Sequence, residues 1–302
     1  MWRDPKTGAA VGYAEEDKFA LSFGNPLCDP KQMSQVVRAY LHYIQHEKKL
    51  KPIWSCVDHV CEQVLAHELG WSAVSAVAEE RFNPTEVEPE KNDKTVRRKV
   101  HRAEREKVKI IEVDGEADER TQELINKRLA EWESRRKGTQ IHLTGLRPFD
   151  DAKHRRYFYA KDSDGTVSSI IEIQHNFTLS YSVMKICALV VLAQLAPTHG
   201  FQIKWALDFP DAPLGAIEYT LTHVIKKLGE VGVRSATFGA GATDKLERAD
   251  NVGGFRVMAL EKVYNGLNHA FPSFSNKSDF RAKFGVHPEP VSLFSILTVG
   301  IR

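Results

Sequence analysis

Over the first 82 residues, short apolar runs of strand length alternate with amphipathic stretches of helix length, and glycine or proline punctuates the junctions. Phe19–Phe23 (FALSF) reads as a strand that stops at Gly24-Asn25-Pro26. Residues 31–49 carry Val36, Val37, Tyr40, Leu41 and Ile44 at helical spacing. A short apolar strand at 52–57, a helix at 59–69 closed by Gly70, and a strand at 71–79 follow. A β–α–β–α–β order with short links buries its apolar faces only by laying helices on a sheet, which predicts an α/β layer structure.

Residues 83–94 (NPTEVEPEKNDK) are polar with two prolines and read as a linker. Beyond them come a basic helix running into a strand and a long amphipathic helix at 117–137 (Leu124, Ile125, Leu129, Trp132). Strands are expected at 157–161, 186–193 and Phe201–Asp208, then a helix at 216–229, a strand at 235–238, a helix at 254–267 and a closing strand at 291–299. A chain of 302 residues accommodates two fused domains, expected at 1–90 and 91–302.

Composition narrows the function classes only slightly. Lys+Arg 42 against Asp+Glu 40 is nearly balanced, so the distribution of charge matters more than its sum. Cys28, Cys56, Cys61 and Cys187 include no CxxC pair and no zinc spacing, which predicts free thiols, a reducing cytoplasmic compartment and no metal. The N-terminus lacks the basic and apolar regions of a signal peptide. The most apolar run, 186–196, is too short to span a bilayer, so any membrane contact is expected to be peripheral.

The strongest local signal is TVRRKVHRAEREKVK, in which Arg97, Arg98, Lys99, Arg102, Arg105, Lys107 and Lys109 fall within about four helical turns. Arg98, Arg102 and Arg105 stand at i, i+4 and i+7 and share one face. Such a face suits a nucleic-acid backbone, because phosphate contacts need charge and little else. The plain alternative is a solvated helix paired to Glu104 and Glu106. Further basic clusters stand at Arg135-Arg136-Lys137 and Lys153-His154-Arg155-Arg156.

Asp208 ends a strand before the turn Pro210-Asp211-Ala212-Pro213-Leu214-Gly215. A carboxylate there is placed for a general base or for orienting a substrate amine, or it simply prepares the next helix. Glu218 sits in the first turn of that helix, where the dipole favours a carboxylate anyway. Gly239 and Gly241 allow a tight turn or close backbone approach to a ligand, a weak phosphate signal by themselves. No Walker lysine motif, GxSxG elbow, HExxH or dinucleotide fingerprint occurs. His142, His199 and His223 are candidates for proton transfer, while Cys56 and Cys61 read as core residues.

Taken in order, these features resemble the C-terminal domain of phosphatidylglycerol lysyltransferases, a tandem acetyltransferase-like (GNAT-like) fold with mixed central sheets. The resemblance is carried by Phe23-Gly24-Asn25-Pro26-Leu27, Leu69-Gly70-Trp71, the basic helix, Trp132, Tyr157 onward to Gly165, the Pro210–Gly215 turn with Glu218, Phe238-Gly239 and Lys283-Phe284. It runs over essentially the whole chain and rests on the order of motifs. WRDPKTGAAVGY, KPIWSCVD, LGWSAVSAVAEER and IKWALDFPDAP look most like the sterol-directed branch, the fungal ergosteryl amino-acid synthases. That branch occurs fused behind an aspartyl-tRNA synthetase or freestanding, associated with aspartate and glycine respectively. With no synthetase domain in this sequence, the amino acid is expected to be charged by a separate aminoacyl-tRNA synthetase.

The resemblance implies transfer of an aminoacyl group from a charged tRNA to the 3-hydroxyl of a sterol such as ergosterol, or to another membrane lipid, with no cofactor beyond the donor. Arg97, Arg98, Arg102 and Arg105 are assigned to tRNA, Asp208 and Lys204 to the reacting centre, and Trp205, Glu218, Gly239 and Gly241 to substrate. Lys204-Trp205-Ala206-Leu207-Asp208 stands where bacterial relatives carry Asp-Leu-Met-Arg, so the roles do not transfer directly. Residues 166–184 form an atypical insertion between two expected sheet strands. A translated, retained intron would explain it, since Val167-Ser168 can be encoded by the donor-like GTGAGT; a genuine surface hairpin is the alternative. Rival readings are phosphatidylglycerol as acceptor, an acetyl-CoA-dependent N-acetyltransferase, and a non-catalytic tRNA- or lipid-binding module.

Overall fold

The structure is a computed structural model, and it describes residues 1–75, 77–113, 116–136, 145–162, 185–195, 200–242, 248–270 and 273–289. The segment 166–184, His142, His199 and the expected strand at 291–299 lie outside the described residues. The chain gathers into two compact units. One comprises Met1–Glu80, Ala240–Phe280 and Pro288–Arg302, the other Arg81–Gly239 and Arg281–His287.

In the first unit, β1 (Trp2–Arg3) pairs antiparallel with β2 (Ala10–Val11). Next, β3 (Tyr13–Glu16), β4 (Phe19–Phe23) and β5 (Lys51–Ser55) form a three-stranded sheet, with β4 antiparallel to β3 and parallel to β5. The connection from β4 to β5 is α1 (Met33–His42), which buries Met33, Val36, Val37, Tyr40 and Leu41 and continues as a π-helical turn, Tyr43–Glu47. Asp58 caps α2 (His59–Glu62) by accepting from the Cys61 backbone N–H at 2.9 Å. A second π-helical turn, Gln63–Glu68, precedes Gly70, whose φ of +68° ends the helix. The segment expected as one strand at 71–79 is two, β6 (Ala73–Ser75) and β7 (Val77–Phe82). Tyr40, Trp54, Ile44 and Leu65 form the centre of this unit's core.

The second unit begins at Arg81, just ahead of the expected linker, part of which winds into a short α3 (Pro89–Asn92). Asp93 then caps α4 (Lys94–Arg105), its carboxylate accepting from the backbone of Thr95 at 2.6 Å and Val96 at 2.9 Å. Val96, Val100 and Ala103 bury one stripe of α4 and leave its arginines outward. After β8 (Lys109–Val113), Asp118 caps α5 (Glu119–Arg135), which buries Thr121, Ile125 and Leu129. Then β9 (Arg155–Lys161), β10 (Ile186–Gln194) and β11 (Phe201–Asp208) run antiparallel, with β8 antiparallel along β9. β10 is buried from Ile186 to Leu192, because β9 and β11 flank it and both faces are covered. Each buried Ile, Leu or Val among them contributes about 1.5–3 kcal/mol. Leu189 and Val191 face the cluster with Ile125, Leu129 and Tyr157, while Phe158 on the other face meets the His223 ring at 6.3 Å.

His223 belongs to α6 (Ala216–Glu230), the connection from β11 to the parallel β12 (Ala236–Ala242). β11 pairs with β12 at their starts, Phe201 with Ala236 and Gln202 with Thr237. Beyond these pairs β11 runs on to Asp208 along β10. The remaining elements are β13 (Arg248–Asp250), which pairs with β6, then α7 (Gly254–Ala270), α8 (Ser273–Ala282) and β14 (His287–Glu289).

Candidate active site

At the end of β11 the chain must turn sharply into α6, and cations hold that turn. Phe209 N–H donates to the Cys187 carbonyl at 2.9 Å. From α5, the Arg128 guanidinium donates to the Ile186 carbonyl at 2.9 Å and the Pro210 carbonyl at 2.6 Å, and lies 5.4 Å from the centre of the Phe209 ring. Lys185 donates to the Asp211 carbonyl at 3.0 Å, and Arg135 pairs with the Asp211 carboxylate at 3.1 Å. Asp211 itself takes φ +62°. Gly215 ends the turn at φ +97° as the N-cap of α6. A Cβ there would lie 2.4 Å from the Lys99 carbonyl oxygen, so only glycine lets α4 approach this closely.

That approach brings two helices' charges together. Glu218, in the first turn of α6, is buried among Ala216, Ile217 and Leu221, and Lys99 Nζ donates to its Oε1 at 2.6 Å. Asp208 stands beside this pair. Although part of its surface meets solvent, the protein packed around its carboxyl and the Glu218 charge push it up to about 6, against the pull of the Lys99 ammonium. A carboxyl in that range gains and loses its proton near neutral pH, as a general base requires.

Lys99 also lines a groove of about 330 Å³ with Arg98, Arg102, Arg105 and Leu214. A second concavity of about 340 Å³ continues it past Arg102, Arg105 and Glu106, where Arg102 Nε pairs with Glu106 at 2.8 Å. The helical spacing of Arg98, Arg102 and Arg105 thus appears as one wall. Arg97 is exposed but does not line the groove. Most of the described members of the other basic clusters have partners within the chain, and Lys137 lies outside the described residues. Arg135 serves Asp211, Arg136 lies over the Trp132 ring at 4.1 Å, His154 pairs with Asp151 at 2.7 Å, Arg155 donates to the Pro148 carbonyl at 2.7 Å, and Arg156 pairs with Glu112.

Lys204 and Asp208 are not brought together. Val191 faces Trp205 while Leu192 faces Ile203, which leaves Lys204 as the extra residue of a β-bulge. Four steps along the strand separate it from Asp208, roughly 13 Å. Its ammonium lies 6.0 Å from the Trp205 ring, which the Arg155 guanidinium also approaches at 5.1 Å. Trp205 packs with Leu207 and Tyr157 against the α5 face, whereas Asp208, opposite Ala188, is on the α6 face. The cation beside Asp208 is Lys99, which sequence reasoning counted among the basic residues without a role of its own.

Gly239 takes φ +86°, and the space of its absent Cβ is filled by Gln202 Nε2 at 2.6 Å. The corresponding space at Gly241 meets Glu80 Oε1 at 2.8 Å and Ser278 Oγ at 3.0 Å. At both glycines the chain's own side chains make the close approach. Burial pushes the Cys56 thiol up to about 11 and the Cys187 thiol up to about 12, and raises that of Cys61. It pushes the His223 imidazole down. Among the described residues no group of His, Cys, Asp and Glu side chains could hold a metal ion, and no helix is long and apolar enough to cross a membrane.

The mixed sheet and the helix-start turn after β11 belong to a GNAT-like fold, and solved structures with that fold align along nearly the whole chain. The sequence profile of the phosphatidylglycerol lysyltransferase C-terminal family matches residues 1–274, and the chain belongs to that family of aminoacyltransferases. The C-terminal domain (DUF2156) assigned to a lysylphosphatidylglycerol synthetase from Agrobacterium fabrum is similar with TM-score 0.72 at 14% identity, over 99% of this chain and 84% of that one. L-PGS from Bacillus licheniformis is similar with TM-score 0.65 at 14% identity, over 96% of this chain and 79% of that one. FemX is similar with TM-score 0.59 at 10% identity, over 96% and 84%. No curated protein matches the sequence.

Proposed function

We infer that this chain transfers an aminoacyl group from aminoacyl-tRNA to a lipid hydroxyl, the 3-hydroxyl of a sterol such as ergosterol, with glycine or aspartate as the group moved. The observation that carries the reading is the junction at Lys99, where an arginine-walled groove meets a carboxyl poised near neutral pH. The groove suits the phosphates of a donor nucleic acid. Asp208 accepts the proton of the lipid hydroxyl as its oxygen attacks the ester carbonyl. The ester bond to the tRNA ribose breaks, and the proton passes to the departing ribose oxygen. The donor ester is already activated, so atoms and charges balance without a further reactant. Leu214, half exposed at the groove, offers the lipid an apolar contact.

The sterol acceptor is supported by the four segments quoted above, which lie in both halves of the chain. Phosphatidylglycerol is the second reading, favoured by the family match itself. One assay separates them: purified protein, total tRNA charged with labelled glycine or aspartate, and vesicles holding either ergosterol or phosphatidylglycerol. Labelled steryl ester that disappears on RNase treatment supports the sterol reading. Labelled phosphatidylglycerol alone replaces it, and no labelled lipid from either vesicle removes the aminoacyl-transfer proposal.

A further inference from the structure

Lys99 has two neighbours that belong to different parts of the site. Its ammonium is 2.6 Å from Glu218, and its side chain forms part of the groove wall with Arg98, Arg102 and Arg105. The Glu218 side chain is 7% exposed and that of Lys99 30%, so the lysine side chain, and not the carboxylate, is open to the groove. The backbone at Lys99 is fixed against Gly215, which leaves the side chain as the part that moves. A lysine ammonium on its flexible stem carries three donors and can serve two anions together or in turn.

The geometry points to Lys99 as a positioning residue that links groove and carboxyl: a donor phosphate in the groove shares its ammonium with Glu218, and this movement of charge sets the protonation of Asp208. The inference rests on the donor reading above. The groups around Asp208 are Glu218 from α6 and Lys99 from α4. From β10 the Cys187 thiol is neutral at physiological pH, its pKa raised to about 12 by burial. From α5 the Arg128 guanidinium is committed to the Ile186 and Pro210 carbonyls. A phosphate therefore acts on Asp208 chiefly by weakening the attraction of Lys99 and adding its own negative charge. Both effects favour the protonated acid, so the ionised form becomes the stronger base once the donor is bound.

The test is to follow the Asp208 carboxyl by carbon-13 NMR, assigned by its loss in Asp208→Asn, with and without uncharged tRNA. In the unmodified chain the titration midpoint should rise by about one pH unit on adding tRNA. In Lys99→Met it should start higher and move less than half as far. The double variant Lys99→Met/Glu218→Gln removes both partners and avoids a stranded carboxylate, and it should be equally insensitive to tRNA. An unmoved midpoint in the unmodified chain, or the same tRNA shift in the chain and both variants, overturns the role of Lys99. A Lys99-dependent shift in a protein that aminoacylates neither lipid keeps that role and discards the acceptor chemistry. Lipid aminoacylation with an unmoved Asp208 does the reverse.

Discussion

Gly215 lies against the Lys99 carbonyl so closely that a Cβ would stand 2.4 Å from its oxygen, and the glycine's φ is +97°. This contact seats α4 on the start of α6 and allows Lys99 to reach Glu218. Gly215→Ala should destabilise the fold by about 2–4 kcal/mol, combining the left-handed backbone penalty with overpacking. Gly232, at φ +76° with nothing within 4 Å of its Cβ position, is the control. Its alanine variant should lose only about 1–2 kcal/mol. Urea unfolding of both measures the difference, and equal losses would show that the α4 contact contributes nothing.

Asp208→Asn should lower lipid aminoacylation about 10²- to 10⁴-fold while leaving the fold intact. The pH dependence of stability gives an independent readout. Because the folded protein holds the Asp208 carboxyl above its ordinary value, at about 6, the folded state binds its proton more tightly than the unfolded chain. This contribution to stability is present at low pH and is lost as pH rises through about 4 to 6. The asparagine variant lacks that loss, so its stability relative to the parent should increase from pH 4 to pH 7. A constant difference in urea midpoint across that range would show that Asp208 titrates normally.

Much of the fold was legible because local periodicity and local chemistry agreed. β4 and β11 have the expected bounds, and α5 buries Ile125 and Leu129 of the apolar stripe expected at 117–137. The arginine wall was legible for the same reason, since i, i+4 and i+7 on a helix need no tertiary information. Two features of the site were not. The bulge at Lys204 depends on the pairing of β10 with β11, whereas the distance from Lys204 to Asp208 follows from strand spacing alone. The Lys99–Glu218 pair spans most of the second unit. A signal existed: Glu218 interrupts the buried stripe of α6 between Ile217 and Leu221, and a carboxylate there requires a cation from another element. The partner's identity followed only once Gly215 had brought α4 into place.

Arg128 bridges the Ile186 and Pro210 carbonyls through different nitrogens of one planar group. Arg128→Lys keeps the charge but lacks the fork, so it should not restore the turn. Both Arg128→Lys and Arg128→Met should lose about 2–4 kcal/mol of stability, because charge-assisted bonds to carbonyls contribute about 1.5–3 kcal/mol each with partial recovery by water. Hydrogen exchange at the backbone amides of residues 209–216 should accelerate in both variants. Protection unchanged in the lysine variant would mean that charge alone holds the turn.

The groove makes a quantitative claim about donor binding. Each arginine that contacts a phosphate releases counterions, so the logarithm of affinity falls with the logarithm of salt by about 0.7–0.9 per contact. Arg98→Gln, Arg102→Gln and Arg105→Gln should each weaken tRNA binding and flatten the slope by close to one contact. Arg97→Gln should change the slope less, since Arg97 is exposed but stands outside the groove. Arg102 is the most informative of the set, because its pair with Glu106 must loosen before it meets a phosphate. Glu106→Gln should therefore tighten binding at low salt. Titrations of fluorescent tRNA between low and physiological salt provide the slopes. Equal flattening by Arg97→Gln and Arg98→Gln would show that the helix attracts tRNA by diffuse charge and that the groove is not its seat.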